Sequence, residues 1–319
     1  MQRLARSLCL ALVVAAGAVG CADTQPAAPA ATQSRSPSTS PSDGRLSAPA
    51  VDLATRSGSW PATERTIQSA LNRLTRRCME ERGFSYPAGS AHRLPDPGDD
   101  AAVVNLPGRR ESGYSLAAEP DAAARDTAAV DRYYATLSTS DQRRFDLALF
   151  GPDDRKATVE IPGRGRFRVP RQGCEADSRR RLAGDVTVWA RIAYTPEAVD
   201  IGLSDRSRTA PPYHAALLQW RRCMAASGHS YADPEAAYRS LQEELRRTGA
   251  TSAFRKRETA VAVADGACAL RVGLPSAGLE ARRELAASLD EDVRRSLNEL
   301  AALRATVVAR AEEVDAGEE

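Results

Sequence analysis

The side chains in this 319-residue chain whose types and spacing could do chemistry are few: the cysteines, three histidines and a Gly-His-Ser stretch. Gly228-His229-Ser230-Tyr231-Ala232 falls one residue short of the G-x-S-x-G nucleophile elbow, which carries its serine on a turn from a strand into a helix. Here a helix is expected before the serine. The matching stretch Gly83-Phe84-Ser85-Tyr86-Pro87 has no histidine. A repeated helix end accounts for both, and no catalytic residue is assigned. His92, His214 and His229 form no H-E-x-x-H pair, and Asp96, Asp99 and Asp100 lack EF-hand spacing. No metal and no cofactor is expected. S-x-x-K is absent, and no Gly-rich phosphate loop follows a strand.

The cysteines are more informative. Arg3 and Arg6 precede an apolar run from Ser7 to Gly20 that is too short to remain as a spanning helix, and the run ends in Ala18-Val19-Gly20-Cys21. Three small residues before a cysteine match the bacterial lipobox. Residues 1–20 read as a lipoprotein signal peptide and Cys21 as the acylated, palmitate-bearing new N-terminus. Cys9 leaves with the signal, so Cys78, Cys174, Cys223 and Cys268 remain for two disulfides, with three possible pairings. Outside the cytosol such pairs form and persist, which also removes the free thiol a cysteine hydrolase needs.

A repeat favours one pairing. Arg76-Arg77-Cys78-Met79 opens an eleven-residue stretch ending at Tyr86, and Arg221-Arg222-Cys223-Met224 opens another ending at Tyr231, identical at seven of eleven positions. Cys78 and Cys223 are therefore equivalent, each with one further cysteine downstream, and Cys78–Cys174 with Cys223–Cys268 is the economical choice.

Each repeat must sit on a helix. In the first, Ile67, Leu71, Leu74 and Cys78 share one face and Gly83 suits the left-handed stop; in the second, Ala216, Trp220 and Cys223 share a face and Gly228 stops it. Asp233-Pro234-Glu235 starts a further helix carrying Tyr238, Leu241 and Leu245. Thr251 or Ser252 starts another, in which Ala260, Ala264, Ala267 and Cys268 are expected to meet a neighbour. The first copy carries an insertion: an irregular loop over 87–120, two helices over 121–150 built on Val130, Tyr133, Tyr134, Leu137, Phe145, Leu147, Leu149 and Phe150, and a hairpin about Gly163 and Gly165. Residues 185–205 should be helical around Trp189 with a break at Pro196. From Ser276 onward, Leu285, Leu289, Val293, Leu297, Leu300, Leu303, Val307, Ala311 and Val314 recur by threes and fours as one long amphipathic helix, which requires a groove in the same chain or a partner helix.

The expected organisation is therefore a signal peptide over 1–20, a lipid-anchored flexible linker over 21–58, helical unit 1 with its loop and hairpin insertion over 59–208, helical unit 2 over 209–275 and the C-terminal helix over 276–319. The fold class is mainly α: two related disulfide-clasped helical units, one small β-hairpin and a long C-terminal helix. The linker, rich in Ala, Pro, Ser and Thr, cannot build a core and would span roughly 35 Å as a random coil. Loss of Arg3 and Arg6 with the signal leaves basic and acidic residues equal in number, so charge gives no steering toward nucleic acid. Lys156 and Lys256 are the only lysines, a bias that points to base composition.

The pairing of Cys223-Met224-Ala225-Ala226-Ser227-Gly228 with Val261-Ala262-Val263-Ala264-Asp265-Gly266-Ala267-Cys268 resembles a group of uncharacterised actinobacterial exported lipoproteins. Ala148-Leu149-Phe150-Gly151 and Gly173-Cys174 are similar to the same group, and the likeness covers roughly residues 60–275. It implies a cell-surface setting in a high-GC bacterium and carries over no catalytic residue. The function expected is a non-enzymatic protein, held by its lipid on the extracytoplasmic face of the cell membrane, that binds an envelope protein, a peptide or a cell-wall component. The alternative is an extracytoplasmic hydrolase acting on cell-wall or peptide substrate, whose mark would be two acids converging in a cleft with shifted titration; a broad apolar groove would mark binding.

Overall fold

Ser47 accepts a hydrogen bond from the Ala50 N–H, and Pro49 lies in the turn that follows, so a helix starts within the stretch expected to be linker. The computed structural model describes residues 44–87, 103–117 and 122–317. This first helix is α1 (Ala48–Thr55), and its Ala50, Leu53 and Ala54 are buried in the main core. The linker boundary at residue 58 is thereby corrected: the folded part begins by Ala48. Three apolar side chains in an Ala-, Pro- and Ser-rich background are too few to register as composition. Cys21 and the signal region lie outside the described residues.

In chain order there follow α2 (Trp60–Glu81), α3 (Leu106–Ser112), α4 (Ala122–Thr136), α5 (Thr139–Phe150), β1 (Lys156–Ile161), β2 (Gly165–Pro170), α6 (Cys174–Ala183), α7 (Val186–Ser207), α8 (Pro211–Ala226), α9 (Pro234–Thr248), α10 (Ser252–Val272), α11 (Leu274–Ala287) and α12 (Glu291–Ala316). The fold is mainly α-helical with one antiparallel hairpin.

The repeated stretch is a repeated helix end. After α2, the Gly83 N–H bonds to the Glu80 carbonyl and the Phe84 N–H to Met79; after α8, the Gly228 N–H bonds to Ala225 and the His229 N–H to Met224. Gly83 and Gly228 share φ +82°. The methionine following each repeat cysteine is fully buried, so Met79 and Met224 aim each helix end into a core. Cys78–Cys174 ties α2 to the first residue of α6, and Cys223–Cys268 ties α8 to α10, with Cα separations of 5.6 and 5.7 Å. The pairing expected from the repeat is the one formed.

The main core is built by α1, α2, α6, α7, α11 and α12 around Leu53, Ile67, Leu182, Trp189, Leu203, Leu297 and Leu300. The hairpin covers the other side of α7: Ala157, Val159 and Ile161 alternate inward along β1, and Phe167 stacks on Tyr194 at 5.8 Å. Packing on both sides explains why α7 runs unbroken through Pro196, where a break was expected. The lost N–H bond costs about 3 kcal/mol, and buried apolar contact from two directions offsets it.

The expected C-terminal helix is two helices. Its long member, α12, begins only at Glu291, after α11 has ended at Ala287 and the chain has turned through Ser288, Leu289 and Asp290. Periodicity is blind to this turn because Leu285, Leu289 and Val293 all pack against the same core. α12 lies along α1, α2 and α6 of its own chain, while α11 packs on α7 and α8 and so joins the two copies. Leu303, expected on the buried stripe, is 41 % exposed, and Arg304 is buried in its place. The Arg304 guanidinium pairs with Glu64 at 2.8 Å and lies over the Trp60 ring. Leu147 and Phe150 also face solvent, since α5 presents Phe145 and Leu149 inward, and on α10 Ala260 is exposed.

The Gly151 and Gly173 backbones touch where α5 ends and α6 begins, beside Cys174. A Cβ on Gly173, at φ +94°, would stand 2.5 Å from the Gly151 nitrogen and 2.7 Å from the Leu149 oxygen. Gly173→Ala should therefore lower stability by more than about 2 kcal/mol, read as a fall in urea midpoint at constant m-value. An unchanged midpoint would contradict this contact.

Candidate functional site

Within the insertion, residues 103–117 form a strap that crosses from the first copy onto the second. Asn105, at φ +46°, accepts from the Gly108 N–H and starts α3, so this part of the expected irregular loop is partly helical. His92, Asp96, Asp99 and Asp100 lie outside the described residues. The strap completes both cores of the second copy: Val104 packs with Trp220, Met224 and Cys268, while Tyr114 and Leu116 pack with Leu241, Phe254 and Val261. Tyr238, expected inside, is 36 % exposed and meets the Tyr114 ring edge-on at 5.5 Å.

Asp265 fastens the strap. One carboxylate oxygen accepts from the Trp220 indole N–H at 2.9 Å; the other accepts from the Tyr114 hydroxyl at 2.8 Å and Arg109 Nη1 at 2.5 Å. Arg109 Nη1 also donates to the Ala262 carbonyl, and its guanidinium lies over the Tyr114 ring. Burial first, then Asp265, raises the Tyr114 pKa, which keeps the hydroxyl a donor. Glu258, buried one helical stretch earlier, accepts the Leu116 N–H at 2.7 Å. Gly266 leaves room: a Cβ there would stand 2.8 Å from Val104 and 3.1 Å from Arg109. Thus, in Ala264-Asp265-Gly266-Ala267-Cys268, the acid clasps the strap, the glycine admits it and the cysteine ties α10 to α8.

Beside this clasp lies a cleft of about 300 Å³ where the strap meets the ends of α7, α8, α9, α10 and α11. Its walls are mostly apolar: Val103, Val104, Ala269, Leu274, Pro275 and the Tyr213 ring. Two arginines line it, Arg109 from the strap and Arg282 from α11. Arg282 Nη1 is held by Asp200 of α7 at 2.7 Å. Burial raises the Asp200 pKa against the opposing pull of Arg282, and burial likewise raises that of Tyr213.

Two other concavities differ in kind. A groove of about 310 Å³ between α1, α2 and α12 is lined by Leu53, Trp60, Ala305 and Val308, with Arg304 and Glu312 at its polar side. A wider hollow of about 670 Å³ between α6 and α12 is walled almost wholly by charged residues, with Arg180, Arg181 and Arg310 set against Asp177 and Glu313. Of these three, the junction cleft combines apolar walls with fixed polar groups drawn from both copies, the form a small-ligand site takes. No family model, no curated protein and no solved structure matches the chain.

Ser230 follows the end of α8, with no strand before it, so the serine stretch lacks the nucleophile-elbow setting. His214 is exposed and His229 half-buried. Among the described residues no group of three metal-ligating side chains is found. Among them, too, no single helix is long and apolar enough to cross a membrane; α10 and α11 pass that test only jointly, and the chain bends 58° between them. Residue type and spacing alone assign no role to Arg109, Asp265 or Arg282. The signal for Asp265 was an acid on the inward face of an otherwise Ala- and Val-rich helix. Nothing local marks the two arginines among so many others.

Proposed function

We propose that this chain is a lipoprotein acylated at Cys21, tethered to the extracytoplasmic face of the cell membrane, which binds an envelope protein, peptide or cell-wall component in the junction cleft without transforming it. The observation that carries this reading is the cleft, with apolar walls and two buttressed guanidiniums. The two disulfides support an oxidising compartment. Asp265, the carboxylate lining the cleft, is committed to three donors, which suits a framework more than an acid or base. The hydrolase alternative has one observation on its side, the raised pKa of Asp200. Release of wall fragments that stops with Asp200→Asn would put it first.

Gly278 of α11 supplies the test of binding. A Cβ there meets the Tyr213 ring at 3.5 Å, ordinary contact, so Gly278→Leu should fill the cleft without disturbing the fold. Crosslinking of the native lipoprotein on its own membranes should give a defined adduct that is lost in Gly278→Leu at unchanged melting temperature. An adduct that survives the filled cleft would overturn the cleft as the binding site.

A further inference from the structure

The two guanidiniums also indicate what the cleft takes. Each is immobilised through one nitrogen, Arg109 Nη1 by Asp265 and the Ala262 carbonyl, Arg282 Nη1 by Asp200. Nε and Nη2 of both have no hydrogen-bond partner among the described residues. Both side chains keep about a fifth of their surface open, 20 % and 18 %. A guanidinium presents five donors in one plane, so holding one edge pre-orients the rest, and a planar acceptor with two oxygens is the group that matches. Asp265 is buried and already accepts from three donors, which leaves it poorly placed for a cationic ligand, while Tyr213 adds a phenol to the lining. The remaining wall, Val103, Val104, Ala269, Leu274 and Pro275, requires an apolar body next to the anionic group.

We infer that the junction cleft binds a carboxylate whose α-carbon bears an apolar group, as at the C-terminal residue of a peptide, through Arg109 and Arg282. This rests on the binding role proposed above and specifies its ligand. Because each arginine is neutralised by its own aspartate, recognition comes from directed hydrogen bonds more than from net field. Affinity should therefore fall only slightly with added salt.

Calorimetric titration of the purified full-length lipoprotein in detergent, with N-acetylated Ala-Ala-Leu bearing a free C-terminal carboxylate and with its C-terminal amide, tests the inference. The acid should bind at least tenfold more tightly than the amide, and Arg282→Met should erase that preference. Gly278→Leu should abolish binding of both, and an unchanged melting temperature of the Arg282→Met protein shows that its loss of preference is not a loss of fold. Hexanoate provides a second arm: binding of hexanoate alone would keep the carboxylate chemistry and assign it to a fatty acid. Equal binding of acid and amide would overturn the carboxylate and leave the binding role standing. Binding by none of the three would also overturn it, and the membrane crosslinking comparison would then decide the binding role by itself.

Discussion

Asp265→Ala should lower the free energy of unfolding by about 3–5 kcal/mol, the range for removing one partner from a buried charge pair. Three donors lose their acceptor at once. The Trp220 indole N–H is left in a fully buried site, Arg109 loses its counter-charge at 2.5 Å and the Tyr114 hydroxyl loses its acceptor. The damage should be local before it is global, because Asp265 is what holds residues 103–117 on α10. Limited trypsin digestion should accordingly cut the variant after Arg109 and Arg110 under conditions that leave the parent intact. Asp265→Asn keeps the shape but turns one acceptor into a donor, so it should fall between the two. A variant as stable and as resistant as the parent would mean that apolar contacts from Val104 and Leu116 suffice to hold the strap.

The disulfides carry an effect of similar size. Cys78–Cys174 spans 96 residues and Cys223–Cys268 spans 45. On loop-closure entropy each bridge stabilises the fold by about 4–5 kcal/mol, the longer one slightly more. That is a large part of the roughly 5–15 kcal/mol that holds a domain folded. Replacing both cysteines of either pair with serine should leave a protein that melts far below the parent, and Cys223→Ser alone should destabilise as well. The two losses should differ in where they act. Loss of the first bridge frees α6 from α2 at the crossing of Gly151 and Gly173, whereas loss of the second loosens α10, and with it the clasp and the cleft. Thermal unfolding with hydrogen exchange on α10 separates them. Melting unchanged by either pair of substitutions would mean that packing alone, without the bridges, holds these helices together.

The repeat was the most legible feature of the chain, because Cys, Met and a left-handed Gly act through their nearest neighbours. Gly83 and Gly228 stop their helices for reasons contained within five residues, and equivalent cysteines imply equivalent bridges. The hairpin was legible for the same reason, since alternation and Gly163 are local. What escaped depends on contacts distant in sequence. The turn at residues 288–290 is invisible because Leu289 packs into the core that Leu285 and Val293 also reach, so the stripe continues unbroken past a change of direction. Arg304 displaced Leu303 from the buried stripe because Glu64 and Trp60, some 240 residues earlier, give its guanidinium a pair and a ring. α1 was assigned to the linker because its few apolar groups matter only once α7 and α12 surround them.

The candidate site was less legible still. Arg109 and Asp265 are 156 positions apart, and Arg282 meets Asp200 across 82. The motif residues around Asp265 were noticed for their resemblance to exported lipoproteins, yet their physical meaning appears only when Val104 and Arg109 are seen lying against Gly266. A glycine and an acid side by side in a buried helix signal a neighbour that approaches closely and donates hydrogen bonds. The sequence does not say which segment that neighbour is.

If ligand is held at the junction of the two copies, site-directed photo-crosslinking in living cells should capture it there. A photoreactive residue replacing Ser204 lies at the cleft, and one replacing Ala309 lies in the groove between α1, α2 and α12. Irradiation should give a defined adduct from position 204 and none from position 309. An adduct from position 309 with none from 204 would place the ligand in the apolar groove and contradict the assignment of the cleft.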